Sequence, residues 1–264
     1  MSPAMLPGAL GYFLTRFLLP GLISLLTSHG GLVRNYHGHL TPMPAGLVFT
    51  LVGLAGALFL PDDTNPAQFA LVLAGFSCLG LVDDFLGSPG VRGVRGHWRA
   101  LVRGELSTGL IKIWLAICLA ALAVKGPPFP AVVVDALVVA LAANAANLMD
   151  TRPGRAGKAF ILASLPFLFA GHGPPWLALL VGAALAYLPA DLRRRAMLGD
   201  TGANALGAVL GLAITTSLPV AGRQAALAVL LLLHLLAERR SLSERIAGQR
   251  LLAALDRWGR QDYD

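Results

Sequence analysis

The chain reads as an all-α, polytopic integral membrane helix bundle with about nine transmembrane helices, its N-terminus outside and its C-terminus cytoplasmic. Three observations predict this. Apolar runs long enough to span a bilayer recur along the 264 residues. Only 13% of residues are charged and 56% are hydrophobic, whereas a soluble domain carries about twice that charged fraction. The apolar runs are rich in Leu and Ala with many Gly, the makeup of helices packed in lipid. A barrel would need alternating short strands, which the sequence lacks. No composition shift, linker or internal repeat divides the chain.

The expected spans are roughly 6–28, 45–60, 67–82, 106–124, 129–149, 157–171, 175–190, 203–219 and 222–237. One set of connectors is short, Pro- and Gly-rich and nearly free of cations: Pro61 to Pro66, Lys125 to Pro128, Gly171 to Pro175 and Pro219 to Gly222. The other set holds most of the arginines: 29–44, 83–105, 150–158, 191–202 and the tail from 238. Cation-rich short loops stay cytoplasmic, which gives the sidedness stated above. Residues 1–237 form the transmembrane bundle and 238–264 a cytoplasmic, basic, amphipathic tail. The net charge of +7 is then explained by topology and anionic ligands, not by nucleic acid. Cys78 and Cys118 fall inside spans, so no disulfide is expected. The first apolar run has no preceding basic region and no clear cleavage site, so it is expected to be retained.

Polar groups of chemical interest all fall on the cation-rich side, a placement fixed without reference to them. Arg16 is the exception, lying within span one, where it either snorkels or serves a function. The first loop, Asn35 to Gly46, is shaped by Gly and Pro and offers His37 and His39 to solvent or to a phosphate. Span three ends in Asp83-Asp84. Adjacent carboxylates at a membrane boundary either cap a solvated helix end or bind a cation and position a nucleophile. A basic loop follows, with Arg92, Arg95, His97, Arg99 and Arg103. Lys112 sits about two turns inside span four, placed to snorkel or to meet a diphosphate.

The stretch Asn144 to Lys158 closes span five and opens span six. On a helix Asn144, Asn147 and Asp150 project within one third of the circumference. Pro153 and Gly154 end that helix, and Arg155 and Lys158 follow. Asp200, in Gly199-Asp200-Thr201-Gly202, either caps span eight or adds a carboxylate to a site. Gly207 and Gly211 form a small-xxx-small pair for close helix contact. Arg239 and Arg240 leave the last span together, able to grip a diphosphate. In the tail, Leu251, Leu252, Leu255 and Trp258 share one helical face, as in a helix lying on the inner membrane surface or across the bundle's cytoplasmic face.

Four of these stretches, in order and on one side, resemble the polyprenyl-phosphate N-acetylhexosamine-1-phosphate transferases: the Pro/Gly first loop, Asp83-Asp84, Asn144-x-x-Asn147-x-x-Asp150 and Gly199-Asp200-Thr201-Gly202. The resemblance implies transfer of a sugar-1-phosphate from a UDP-sugar to undecaprenyl phosphate or a similar lipid, releasing UMP at the cytoplasmic face of the inner membrane. It implies Mg²⁺, or Mn²⁺ in its place, held by Asn147 and Asp200. Asp83, supported by Asp84, would position or deprotonate the lipid phosphate. Lys112 with Arg239 or Arg240 would offset phosphate charge, and Asn144, Asp150 and Arg155 would line the substrate pocket. A homodimer is compatible with this reading.

The chain also departs from the family pattern. Gly87 and Ser88 stand where a further acid or lysine is common, Thr151 replaces a glycine, and Pro153 replaces a polar residue. Met197 stands where an aromatic is common, and Glu238, Arg239 and Arg240 replace a histidine cluster. These changes leave the sugar open. Other readings are a transporter or flippase, which needs sites facing both sides, and a silent envelope scaffold. A CDP-alcohol phosphotransferase would need a longer run of spaced aspartates.

Overall fold

A computed structural model describes residues 5–86, 108–124, 129–171, 173–239 and 241–260. The helices are α1 (Met5–Ser28), α2 (Leu47–Ala57), α3 (Pro66–Leu86), α4 (Thr108–Ala123), α5 (Ala131–Met149), α6 (Arg155–Phe169), α7 (Pro175–Leu192), α8 (Gly199–Ser217) and α9 (Val220–Arg239), then the short α10 (Leu242–Ala247) and α11 (Arg250–Arg257). Each stretch expected to span coincides with one of α1 to α9. Among the described residues five are long and apolar enough to cross a membrane: α1, α3, α5, α7 and α9. Helix α2 and the Lys112–Ala123 part of α4 are apolar but shorter. An eleven-residue helix such as α2 rises only about 17 Å, short of a hydrocarbon core of about 30 Å.

Helix α8 is the hub. It is buried almost continuously from Gly199 to Thr215, and it packs against α3 and α5 most extensively. Lipid tails are as apolar as leucine, so helices in a membrane associate through close backbone approach and hydrogen bonds. Small residues supply that approach. A Cβ on Gly207 would lie 2.3 Å from Ala142 O, and one on Gly211 would lie 2.7 Å from the Cα of Val139. On the α3 side, a Cβ on Gly80 would lie 2.3 Å from Asp200 O. The far end of the bundle is closed by Trp176, whose ring stacks on Phe69 and whose Nε1 donates to Thr64 O at 3.1 Å. There too Arg223 pairs with Asp135 at 2.8 Å, joining α9 to α5.

The first loop contains the one sheet among the described residues, an addition to the all-α expectation. Strands β1 (Leu32–Arg34) and β2 (Leu40–Pro42) pair antiparallel. Asn35 makes the turn: its Oδ1 accepts from the backbone N–H groups of His37 and His39, and its Nδ2 donates to Thr41 Oγ1. Beyond β2 the chain runs beside the segment before α8. Met197 N–H donates to Pro42 O, and Ala45 and Gly46 N–H donate to Met197 O and Leu198 O. The hairpin is thus fixed to the entrance of the hub helix.

Because α8 and α5 touch backbone to backbone, Gly207→Val overpacks that crossing and should cost about 1–3 kcal/mol. The check is thermal unfolding in detergent, where the midpoint should fall by several degrees. An unchanged midpoint would show that the crossing can open to admit a side chain.

Candidate active site

The hairpin, the end of α3, the α5–α6 turn and the α7–α8 segment enclose a cleft of about 740 Å³. It is lined by the carboxylates of Asp83, Asp84, Asp150, Asp191 and Asp200 and by Arg34, Arg152 and Arg194.

Three helices besides α8 deliver side chains to one point. Lys112 Nζ of α4 donates to Asp83 Oδ2 at 2.5 Å and to Asp200 Oδ2 at 2.8 Å. Asn147 Nδ2 of α5 donates to the same Asp200 oxygen at 2.9 Å. The cluster is about one quarter to one third exposed, with side-chain exposures of 23% for Lys112, 34% for Asp83 and 28% for Asp200. It is therefore sheltered yet open to a ligand.

Asp84 points the other way. Its Oδ1 accepts Asp200 N–H at 2.9 Å, and its Oδ2 accepts Thr201 N–H at 2.9 Å and the Thr201 hydroxyl at 2.6 Å. These are first-turn groups of α8, which no intrahelical carbonyl satisfies, and a carboxylate there also meets the positive end of the helix dipole. The adjacent acids thus divide: Asp83 faces Lys112 and Asp200, and Asp84 caps the hub helix.

Asp150 lines the cleft at the end of α5. Burial, then the carboxylates of Asp191, Asp200 and Asp84, hold its pKa well above the ordinary aspartate range. Asp191, only 4% exposed, lies beside the α5–α6 turn. Its Oδ2 accepts Gly154 N–H at 3.0 Å. Gly154 has φ +74, and a Cβ there would lie 2.4 Å from Leu192 Cδ2, so only glycine fits this turn.

Other residues expected in the substrate pocket are used elsewhere. Asn144 does not line the cleft; it donates to His234 Nε2 of α9 at 2.9 Å. His234 Nδ1 lies 2.7 Å from Leu230 O, which places the ring proton on Nδ1 and leaves Nε2 to accept. Arg239 is exposed at the end of α9 and does not line the cleft. Arg240 and the basic-loop residues Arg92, Arg95, His97, Arg99 and Arg103 lie outside the described residues. Arg16 is on the exposed face of α1.

Arg155 is the largest relocation. It is 6% exposed and grips Asp256 of the tail through Nε and Nη2 at 2.7 and 3.0 Å. Its Nη1 donates to Thr151 and Ser243 hydroxyls. Lys158, 9% exposed, spends its three donors on Leu255 O, Asp256 O and Trp258 O at 2.8, 2.7 and 3.1 Å. Those carbonyls end α11, where intrahelical partners run out and a cation is favoured. Arg260 also pairs with Asp256 at 3.0 Å. The physical reason is satisfaction: two cations at the head of α6 need acceptors, and the returning tail brings six oxygens to them. Leu251 and Trp258 remain 73% and 72% exposed, so the apolar face of the tail points away from the clasp.

The donor set fits a hard divalent cation. Asp83 and Asp200 offer carboxylate oxygens and Asn147 a carboxamide, the ligands Mg²⁺ prefers. Lys112 Nζ touches both carboxylates, so they converge closely enough to share one cation. Asn147 needs only to present its amide oxygen in place of its nitrogen. Among the described residues no set of three or more acid, His or Cys side chains forms a preformed metal cage. Sequence reasoning missed Asp191, Tyr36, Arg194 and Asp256. Asp191 was visible as a lone acid closing span seven; for Asp256 only its place on the polar side of the tail helix pointed inward.

Asp256→Ala should strip the clasp of its carboxylate and leave Arg155 buried, loosening the tail by about 3–5 kcal/mol. Hydrogen exchange of residues 250–257 should rise sharply, and protection as strong as in the unaltered chain would exclude the clasp. The pH dependence is also defined. Burial alone would raise the Asp256 carboxyl, but hydrogen bonds and charge from Arg155, then the charge of Arg260, hold it below the usual value. A depressed carboxyl contributes stability above its undocked pKa and loses it as pH falls through the docked one. Protection of α11 should stay level between about pH 5 and 8 and fall only in stronger acid.

The family model described as glycosyl transferase family 4 matches residues 66–218, more than half of the chain. That stretch runs from the head of α3 past the end of α8 and includes Asp83, Lys112, Asn147, Asp150 and Asp200. The chain is similar to the phospho-N-acetylmuramoyl-pentapeptide-transferase of Thermotoga neapolitana, with 27% identity over 225 residues, 77% of this chain and 72% of the relative. Its namesake from Desulforudis audaxviator is 28% identical over 261 residues, 81% of this chain and 76% of the relative. The one from Thermotoga petrophila is 29% identical over 237 residues, 77% and 72% of the two chains. With its acids, amide and lysine gathered at one end of an apolar helix bundle, the chain belongs to glycosyl transferase family 4.

Proposed function

We propose that this protein transfers an N-acetylhexosamine-1-phosphate from a UDP-sugar to undecaprenyl phosphate or a similar polyprenyl phosphate, for cell-envelope glycan synthesis. The products are lipid-diphosphate-sugar and UMP. The observation that carries this reading is the meeting of Asp83, Lys112, Asn147 and Asp200, from four separate helices, at one point, with the two acids also lining the cleft. The names of the relatives support the reaction class. The described cation-rich connectors 29–44, 150–158 and 191–202 all contribute to the cleft, which supports a cytoplasmic site at the inner membrane.

Phosphoryl transfer needs alignment and charge neutralisation more than covalent participation by the protein. In this reaction an oxygen of the lipid phosphate attacks the β-phosphorus of the donor. The bond from that phosphorus to the bridging oxygen breaks, and UMP leaves with the electron pair. Asp83 orients the attacking phosphate and accepts its remaining proton, while Lys112 moderates the repulsion between that phosphate and the acids. Asn147 and Asp200 would hold Mg²⁺, whose charge would offset that of the diphosphate. Asp84 keeps Asp200 in register by fixing the first turn of α8. Asp150, at the end of α5, lines the cleft on the side proposed for the nucleotide.

The test is a panel of UDP-sugars with undecaprenyl phosphate and Mg²⁺ in detergent, the lipid product identified by mass. UMP release should require the lipid phosphate, and Asp200→Asn should reduce it by about 10²–10³-fold. Absence of turnover with every UDP-N-acetylhexosamine and several polyprenyl phosphates, together with an Asp200→Asn variant indistinguishable from the parent, would sink the proposal.

A further inference from the structure

The tail helix α11 is fastened by one side only. Arg155 holds the Asp256 carboxylate, and Lys158 holds the carbonyls of Leu255, Asp256 and Trp258. The apolar side has no cover. Leu251 and Trp258 are 73% and 72% exposed, and Leu252 and Leu255 are 41% and 42% exposed. At about 100° per residue these four positions fall within one third of the circumference. Single exposed leucines are ordinary, but a contiguous apolar face beside charge marks an interaction surface.

The level of that face follows from what the helix is tied to. Lys158 lies in the first turn of α6. Just beyond it, Leu162 and Phe169 are 52% and 84% exposed. Residues seven apart on a helix share a face, so α6 turns an apolar stripe outward, toward lipid in a membrane bundle. The clasp therefore holds the end of α11 where α6 enters its apolar stretch. The tail also follows directly from α9, which is long and apolar enough to cross a membrane and has no buried residue. Helix α9 ends at Arg239 and α11 begins at Arg250, so the connector is short.

Charge narrows the occupant. Residues 239–260 hold six arginines, against Glu244 and Asp256, and the Asp256 carboxylate is met by Arg155 from outside the tail. Arg250 and Arg257 stand at the two ends of α11 and are exposed. Arg257 directs its Nε back to Ala253 O at 3.3 Å, which leaves its charge in place. Attraction to an anionic surface depends on that charge and not on a free hydrogen bond. A basic helix with one apolar face fits the headgroup layer of an anionic leaflet: the apolar side enters the acyl boundary and the cations stay among the phosphates. A second copy of the chain fits less well. Helix α11 has eight residues, and one face of it falls far short of the roughly 800 Å² per partner in a stable dimer.

We propose that α11 is a membrane-surface helix. The clasp holds its polar side to the head of α6, and Leu251, Leu252, Leu255 and Trp258 enter the interfacial layer of an anionic lipid leaflet. The helix thus takes both positions that its sequence left open, one with each side. This stands independently of the reaction proposed above.

The experiment measures depth with spin labels on the full chain in single-chain lipid nanodiscs, made of phosphatidylcholine alone or mixed with phosphatidylglycerol. Cys78 and Cys118 are first replaced by alanine. Leu251→Cys, Trp258→Cys and, as the polar control, Gln249→Cys are then labelled one at a time. All three positions are exposed, and Trp258→Cys keeps the carbonyl that Lys158 holds, so unfolding midpoints should match the parent. Relaxation by oxygen and by an aqueous nickel complex reads the depth. The labels at 251 and 258 should both lie about 5–10 Å into the headgroup and acyl boundary, with the label at 249 in water. An upright helix would separate the two by about 10 Å, so equal depth is the expected mark of a helix lying flat. The Arg250→Glu, Arg257→Glu double variant should make both labels shallower in the discs with phosphatidylglycerol. Labels at 251 and 258 as open to water as the one at 249 would overturn the proposal. So would a water-exposed label at 251 together with disulfide-linked dimers of the Leu251→Cys chain in detergent, which would seat a second copy on the face. Equal depth with and without phosphatidylglycerol would strike the anionic headgroup from it.

Discussion

The carboxylate of Asp84 on the first turn of α8 is the contact on which the rest of the site depends. Helix α8 is buried over most of its length, so its first-turn N–H groups need partners within the protein. Asp84 takes two of them and the Thr201 hydroxyl. That contact locks α3 to α8 at a point where Gly80 lets the two backbones nearly touch. Once it is made, Asp83 and Asp200 are fixed on either side of Lys112. One residue of the acid pair therefore builds the geometry that the other uses.

The architecture was legible where physical chemistry acts locally. Apolar length and the Pro/Gly punctuation between runs located α1 to α9, because a lipid environment demands a helix wherever the chain is apolar. Asp83, Asn147 and Asp200 stood out because polar side chains at a membrane boundary are costly and need a partner. The rest depends on which segments meet. Asn144 has the same spacing as Asn147, yet it faces α9 and His234 rather than the cleft; the i, i+3 rule gives a face, not a neighbour. Arg155 looked like a substrate ligand because its partner lies a hundred residues later, on a helix whose docking leaves no local signature. The hairpin is too short for an alternating pattern to register, and Tyr36 carried no charge to draw notice.

The family pattern gains meaning from the same contacts. Thr151 stands where the resemblance leads one to expect glycine, and its hydroxyl accepts from Arg155 and meets Ser243 at 3.2 Å. That departure serves the tail rather than the cleft. The matched region, residues 66–218, includes Arg155 and Lys158 but ends before the tail begins, so only the tail's half of the clasp lies outside it. The second cleft, of about 430 Å³, lies between the hairpin tip and the tail and shares Tyr36 and Arg152 with the first. Its floor is complete only when α11 is docked.

The clasp also bears on the order in which the structure can form. Asp256 follows Arg155 by 101 positions, so the head of α6 is synthesised well before the carboxylate and carbonyls that satisfy its two cations. Until α11 docks, Arg155 and Lys158 are bare charges that only water or anionic headgroups can meet. Docking turns the same two charges into a buried fastening.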